Sequence, residues 1–582
     1  MTPLDVVVAL AVAVVALAIL AAWRAGHTMV AAPMTQLAAS LDAPRSSRPR
    51  IVILGGGFGG VYAAKALEQA QRRRDDFEVV LISRENYFVF QPMLPEVISG
   101  TIGLFDTVSP LRQMLSRTEV HVREIARIDL ERRVVQTSPG FHPHAHEIPY
   151  DHLILALGNV TDFRGMRGLP EHAWPFKTLA DAVALRNHVI RTLEEAAIER
   201  NEPVLVEQLL TFVVAGGGFS GVEIVAELND FVRAVARRYR GIDQSRIRVV
   251  LLHGQARILP ELAPSLGEFA ARKLAARGVE LRLRARLEAA TAEGAVLVGG
   301  DRIATRTLVS TIPSSPHPLL EALALPKAKN GRIPVDRFLQ VEGHPALWAL
   351  GDCAFALTAH GEPVPPTAQH ATRQAAVVAH NVLARLRGTP AKAFDFGGLG
   401  KMGSLGHRSA VAEILGIKLS GFLAWFMWRT IYLSKVPGWG RRLKIAVAWT
   451  LDLFLPPELV QLRLGEQAGI GKEHFEPGDI VFRQGDLGDR LYIVLEGEAE
   501  AVQETAGESR VLGKIVAGQF FGEKALLQAS GRSATIRCVK AMDALSLPKR
   551  EFGLLTTHLR GLRRSFEEVV TERDRQTPSK TE

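Results

Sequence analysis

Gly55, Gly57 and Gly60 stand in IVILGGGFGG (51–60), and Gly216, Gly218 and Gly221 stand in TFVVAGGGFSG (211–221). Each trio reads Gly-x-Gly-x-x-Gly at the end of an apolar run. The first glycine permits a tight turn, the second lets backbone approach a diphosphate, and the third lets a helix lie close to a strand. The helix that follows points its free N–H groups and positive dipole end at the anion. A third stretch, FFGEKALLQASGRSATIRC (520–538), carries different chemistry. It looks built to hold a small ring carrying one negative charge, and it contains Glu523 and Arg532. Gly522, Ala525, Ser533 and Ala534 frame these two side chains. No nucleophile–base constellation accompanies the three sites. The chain has two cysteines, Cys353 and Cys538, which make no CxxC pair and no zinc-type cluster.

The elements that must position these residues are legible in the same way. Strand RIVILGGG, helix GGVYAAKALEQAQ and strand FEVVLIS form one βαβ unit. TFVVAGGG, SGVEIVAELNDFVRAV and RIRVVLLH repeat it. From about residue 471 the pattern changes to short strands and Gly-rich turns, as in FEPGDIVFRQGDLGDRLYIVLEGEAEAV, which predicts a small β-roll.

The chain is long enough for several domains at 582 residues, and 47% hydrophobic with 23% charged residues fits a folded protein. The charge balance, 70 − 61 = +9, favours an anionic neighbour. No nucleic-acid-binding motif is present, so that neighbour is expected to be a membrane. Between Asp5 and Arg24 lie 18 uncharged residues, which as a helix span roughly 27 Å and predict an uncleaved transmembrane anchor. Arg24, Arg45, Arg48 and Arg50 follow it and place the remainder in the cytoplasm. Residues 420–456 mix Trp425, Trp428, Trp439 and Trp449 with Arg429, Lys435, Arg441, Arg442 and Lys444, the composition of helices lying on a lipid surface.

Taken with "ENYFVFQPMLPEV", "YDHLILALG", "RILPEL", "LWALGDCA", "PPTAQHATRQA" and "GFLAWFMWRTIYL", the two glycine motifs make the chain resemble the type II, non-proton-pumping NADH:quinone dehydrogenases over about residues 50–460. The resemblance implies an α/β fold with two Rossmann-like domains, one for FAD and one for NAD. Gly55, Gly57, Gly60, Glu85 and Asp352 would serve the flavin nucleotide. Gly216, Gly218, Gly221 and Glu223 would lie on the nicotinamide side. Gln369, Arg373 and Gln374 would face the quinone, with Glu223 and Gln369 closest to the chemistry. The chain departs from the pattern at three places. Ser83 and His253 stand where an acid usually binds a ribose, which leaves NADH or NADPH open, and Arg373 replaces a glutamine. His370 is expected to satisfy local hydrogen bonds only.

Residues 471–555 resemble cyclic nucleotide-binding domains, with Gly522, Glu523, Ala525, Arg532, Ser533 and Ala534 as the contact set for cAMP or cGMP. The expected layout is an anchor (1–24), a linker (25–49), an FAD domain (50–164 and 329–395), an NAD(P)H domain (165–328), a membrane-associating region with amphipathic helices (396–460), a cyclic nucleotide-binding roll (471–560) and a tail (561–582). The expected partners are a membrane quinone, the bilayer, a cyclic nucleotide and a second copy in a homodimer, with no metal and no nucleic acid. The location is the inner (cytoplasmic) membrane. A receptor built on a non-catalytic flavoprotein scaffold is the rival reading, as is a flavoprotein with another donor and acceptor.

Overall fold

The structure, a computed structural model, describes residues 47–571 apart from 140–144, 164–165, 292, 312–314, 453, 456–457, 462–470, 476, 489, 506–507, 529–530, 550, 554–563, 565 and 567. The expected anchor at 1–24 lies outside the described residues. Among the described residues no helix is long and apolar enough to cross a membrane. The chain divides into two compact units: Ser47–His121 with Asp151–Leu462, and Val122–Tyr150 with Arg463–Glu582.

In the first unit, β1 (Arg50–Leu54) is central to a five-stranded sheet ordered Leu347–Ala349, His152–Leu155, β1, β2 (Glu78–Ser83), Glu119–Val122. Ile51, Val52, Ile53 and Leu54 are fully buried, as a parallel strand covered on both faces requires. β1 runs into α1 (Phe58–Gln71), and α2 (Leu94–Ser99) follows further along the chain. The second sheet repeats the scheme with five parallel strands: Ala173–Pro175, Thr307–Ser310, β3 (Thr211–Ala215), β4 (Arg248–His253) and β5 (Val279–Leu283). α3 (Phe219–Ala236) follows β3 and buries Val222, Val225, Leu228 and Phe231 in the core beneath it. α4 (Ala368–Arg387) packs on α1. A three-stranded antiparallel sheet, Gly400–Ser404, Ala410–Ile414 and Ile417–Gly421, then leads into α5 (Phe422–Lys435) and α6 (Trp439–Leu451).

The predicted aromatic surface of α5 and α6 divides into two sets. Trp425, Trp428 and Trp449 are buried, whereas Phe422, Leu423, Phe426, Trp439 and Leu451 are each at least half exposed. The buried indoles have a cation to cover: the Arg429 guanidinium lies 4.3 Å from the Trp425 ring centre and 4.6 Å from that of Trp449.

The second unit is the predicted β-roll together with a three-stranded antiparallel sheet, Ile125–Asp129, Val134–Thr137 and His146–Pro149. In the roll, Arg490–Thr505 pairs with Thr535–Pro548 and with Glu508–Val516. Phe482, Tyr492, Phe521, Ile536 and Met542 fill its interior, with Tyr492 and Phe521 stacked at 5.2 Å.

Candidate functional site

The two glycine loops are built alike. Gly55 N–H donates to the Ile82 carbonyl at 2.9 Å, and Gly216 N–H donates to the Leu252 carbonyl at the same distance. Both glycines have left-handed φ, +111° and +124°. A Cβ on Gly55 would stand 2.3 Å from the Ala156 carbonyl oxygen, and one on Gly60 or Gly221 would stand 1.8 Å from the carbonyl oxygen of the loop's first glycine. Over Gly57 the space is open, with nothing within 4 Å of a built Cβ. Neither α1 nor α3 has a side-chain cap. Free helical N–H groups and a positive dipole end suit a diphosphate at both loops; the approach is open at the first, while at the second Glu261 Oε1 stands 3.3 Å from a Cβ built on Gly218. Ser83, at the end of β2, packs on Gly56, and Glu85 stays half exposed in an ion pair with Arg84 (3.2 Å).

Asp352 occupies the turn Gly351–Cys353, one residue beyond the strand Leu347–Ala349. Burial raises its pKa, while Lys177 and Arg332 draw it back. Lys177 is itself largely enclosed and bonds the Asn159 side-chain oxygen. Gln374 is buried, and its Oε1 accepts the Gly351 N–H at 2.7 Å, so its amide holds this turn. Gln369 reaches the opposite way: its Nε2 donates to the Gly400 carbonyl and its Oε1 accepts the Leu399 N–H, both at 3.2 Å. Arg373 donates to the Gln369 carbonyl (2.9 Å) and lies 3.9 Å over the Phe396 ring. His370 is buried against Thr367 Oγ1 at 2.6 Å, the local role its sequence context suggests.

Glu223, one turn into α3, accepts the Ser404 N–H at 3.0 Å. Burial pushes its pKa up to about 8; the Ser404 bond lowers it, and the neighbouring Glu227 and Glu96 raise it. Its surroundings thus favour the protonated form. Glu227 follows one turn later on α3, and Glu96 comes from α2; both are buried, and burial raises both. Glu96 Oε2 accepts the Trp449 indole N–H at 2.7 Å, and its Oε1 lies 3.8 Å from the Arg429 guanidinium. Asp452, just past α6, is also raised by burial and drawn back by Arg429. Three carboxyl groups, from α2, α3 and the end of α6, thus share one arginine, and Glu223 adjoins two of them. Only the Glu223–Glu227 spacing, one helical turn, announces this cluster in the sequence.

In the roll, the side chains expected to hold a nucleotide phosphate sit together. Arg532 is buried; its Nη1 donates to the Gly522 carbonyl and its Nη2 to the Arg490 carbonyl, both at 2.8 Å. Its guanidinium lies 3.9 Å over Phe482. Glu523 opens the short helix α7 (Glu523–Gln528) and is buried, as are Ala525 and Ala534, while Ser533 is exposed.

Comparison with known proteins agrees with this geometry. Residues 49–375 match the pyridine nucleotide-disulphide oxidoreductase family, residues 399–455 the NDH2 C-terminal domain, and residues 472–556 the cyclic nucleotide-binding domain. The chain is 30% identical over 444 residues to the type II NADH:quinone oxidoreductase Ndh of Mycobacterium tuberculosis, covering 74% of this chain and 93% of the relative. It is 32% identical over 410 residues to the demethylphylloquinone reductase NdbB of Synechocystis, covering 69% and 96%. NDH2 from Plasmodium falciparum, solved in complex with NADH, superposes with a TM-score of 0.65 over 71% of this chain and all of that one; at 19% identity this likeness is one of fold. With both dinucleotide grips, the NDH2-type C-terminal region and this level of identity, the chain belongs to the type II NADH:quinone oxidoreductases of the pyridine nucleotide-disulphide oxidoreductase family, joined at its C-terminal side to a cyclic nucleotide-binding domain.

Proposed function

We propose that this chain oxidises NADH with FAD and reduces a membrane quinone, without moving protons across the bilayer, and that a cyclic nucleotide held by its C-terminal roll regulates the reaction. The observation that carries the reading is the pair of matching dinucleotide grips in one compact unit, with a carboxyl group of raised pKa, Glu223, beginning the second turn of the second grip's helix. In the first grip Gly55, Gly57 and Gly60 would take the FAD diphosphate, with Asp352 on the same nucleotide. In the second, Gly216, Gly218 and Gly221 would take NADH. Bound flavin supplies the hydride-accepting and electron-passing chemistry.

The chain's own groups bind, orient and hold protons. Gln374 fixes the Gly351 turn that presents Asp352. Lys177 and Arg332 offset the charge of Asp352 and of any phosphate beside it. Gln369 ties α4 to the 399–400 loop on the side assigned to quinone. A quinone needs two protons to become a quinol, and Glu223 holds one at neutral pH on a carboxyl oxygen, with Glu227 and Glu96 next to it. The exposed Phe422, Leu423, Phe426, Trp439 and Leu451 suit contact with lipid, where a quinone dissolves, and Lys435 and Lys444 suit anionic headgroups.

The test is NADH oxidation by membranes carrying the protein, with an added quinone, with and without cAMP or cGMP. The reading expects quinone-dependent turnover that shifts with one of the nucleotides. Absence of turnover overturns the enzyme assignment. Unchanged turnover, quinone KM and thermal stability at saturating cAMP and cGMP overturn the regulation.

A further inference from the structure

In a βαβ dinucleotide fold the adenosine ribose lies at the end of the second strand. An acidic residue there binds the 2′-hydroxyl and repels a 2′-phosphate, whereas an arginine nearby accommodates the phosphate. In the second grip that strand is β4, and it ends in His253-Gly254-Gln255-Ala256-Arg257, with no carboxylate. His253 is turned back into the loop: its Nδ1 accepts the Gly217 N–H at 3.1 Å.

The chain leaving β5 is fastened beside this strand end. Arg284 N–H donates to the Gln255 carbonyl and Ala285 N–H to the His253 carbonyl, both at 3.0 Å. Arg284 takes a left-handed φ of 56° in this clasp. The stem of Arg286 lies against Gly254, with its Cγ 3.0 Å from a Cβ built there. The side chains of Arg284 and Arg286 are exposed and, among the described residues, make no hydrogen bond or ion pair. The other charged groups nearby are accounted for. Arg257 is committed to the Pro260 and Leu262 carbonyls, Arg282 pairs with Glu280, Glu288 pairs with Arg167, and Glu261 faces Gly218 on the diphosphate side of the loop. The ribose corner therefore presents two guanidiniums uncommitted among the described residues, and the Glu261 carboxylate, which acts on His253 from the diphosphate side of the loop, is the acid set against them.

We propose that Arg284 and Arg286 form a binding site for the 2′-phosphate of NADPH, so that the enzyme accepts NADPH as well as NADH. This rests on the reading of the second grip as the nicotinamide dinucleotide site. A 2′-phosphate monoester carries close to two negative charges, and guanidinium–phosphate contacts are charge-assisted and bidentate. Losing both arginines is expected to lower the ratio of kcat/KM for NADPH to that for NADH by about 10- to 100-fold at low ionic strength.

The experiment measures that ratio in membranes with a quinone acceptor, for the wild type, the Arg284→Ala/Arg286→Ala double variant and Gln255→Glu. Calorimetric titration of the purified wild type and double variant with 2′,5′-ADP and with ADP accompanies it. The proposal expects a wild-type ratio above about 0.05, a drop of at least about tenfold in each variant, and 2′,5′-ADP binding that weakens in the double variant much more than ADP binding does. A wild-type ratio below that value, or equal loss for both donors and for both ADP ligands, overturns it. If neither donor is oxidised, the proposed function fails, while the 2′,5′-ADP titration still decides the site.

Discussion

Replacing Glu223 by Gln tests the proton-holding role directly. Gln keeps an oxygen for the Ser404 N–H, held at 3.0 Å, and removes the titration. The folded group titrates at about 8 and the unfolded one at 4.5. Between those values the unfolded chain has released a proton that the folded protein retains, so the wild type loses stability as pH rises. The loss is at most about 1.4 kcal/mol per pH unit and up to about 5 kcal/mol across the window. Below pH 4.5 and above pH 8 the contribution is flat. Glu223→Gln is therefore expected to unfold near the wild-type temperature at pH 5 and several degrees above it at pH 8.5. In turnover, the wild-type rate of quinone reduction should fall as pH rises through about 8, because the protonated carboxyl group disappears. The variant should lack that limb and reduce quinone about 10²-fold more slowly, the usual scale for a lost proton donor. Stopped-flow separation of the NADH-driven and quinone-driven half-reactions, together with thermal unfolding at several pH values, reads both effects. Parallel pH profiles for the two proteins would refute the reasoning.

Gly60→Ala should abolish FAD retention, since its Cβ would stand 1.8 Å from the Gly55 carbonyl oxygen; the flavin absorbance of the purified variant reads this. Arg429→Met leaves Glu96, Glu227 and Asp452 without their shared cation, and removing one partner of a buried pair costs about 3–5 kcal/mol, measured by denaturant unfolding. Saturation with the bound cyclic nucleotide should stabilise the wild type by about 2.7 kcal/mol at a hundredfold excess over Kd, and Arg532→Ala should erase that shift in a thermal melt. In a chain lacking residues 1–24, Phe422→Ser/Phe426→Ser removes two exposed rings and should lower the fraction that floats with lipid vesicles.

The parts of this molecule that sequence makes legible are those whose physics is local. A Gly-x-Gly-x-x-Gly turn between strand and helix is settled within a dozen residues, and Gly55 and Gly216 adopt the same conformation for the same reason. The alternation of short strands after residue 471 announces the roll in the same way. The carboxyl cluster was hidden because Glu96, Glu227, Arg429 and Asp452 are spread over more than three hundred residues and meet only through packing of separate helices. Composition also could not sort the tryptophans of α5 and α6: membrane surface and cation-filled core use the same residue types, and Arg429 decides for Trp425 and Trp449. Gln374 reads as a quinone-side residue by its place in the motif, yet its amide is engaged with Gly351. The absence of an acid at His253 is plain in the sequence, but the arginines beside it come from the chain leaving the next strand, and only the pairing of β4 with β5 and the clasp beyond it bring them there.

The central claim is that electrons enter this chain at one dinucleotide grip and leave through the other's flavin to a lipid-soluble acceptor. Anaerobic visible spectroscopy of the purified protein tests it most directly. The account predicts a yellow protein whose flavin bands bleach on adding NADH and return on adding a quinone. A colourless protein that takes up no FAD on reconstitution, or bound flavin that NADH leaves oxidised, would contradict it.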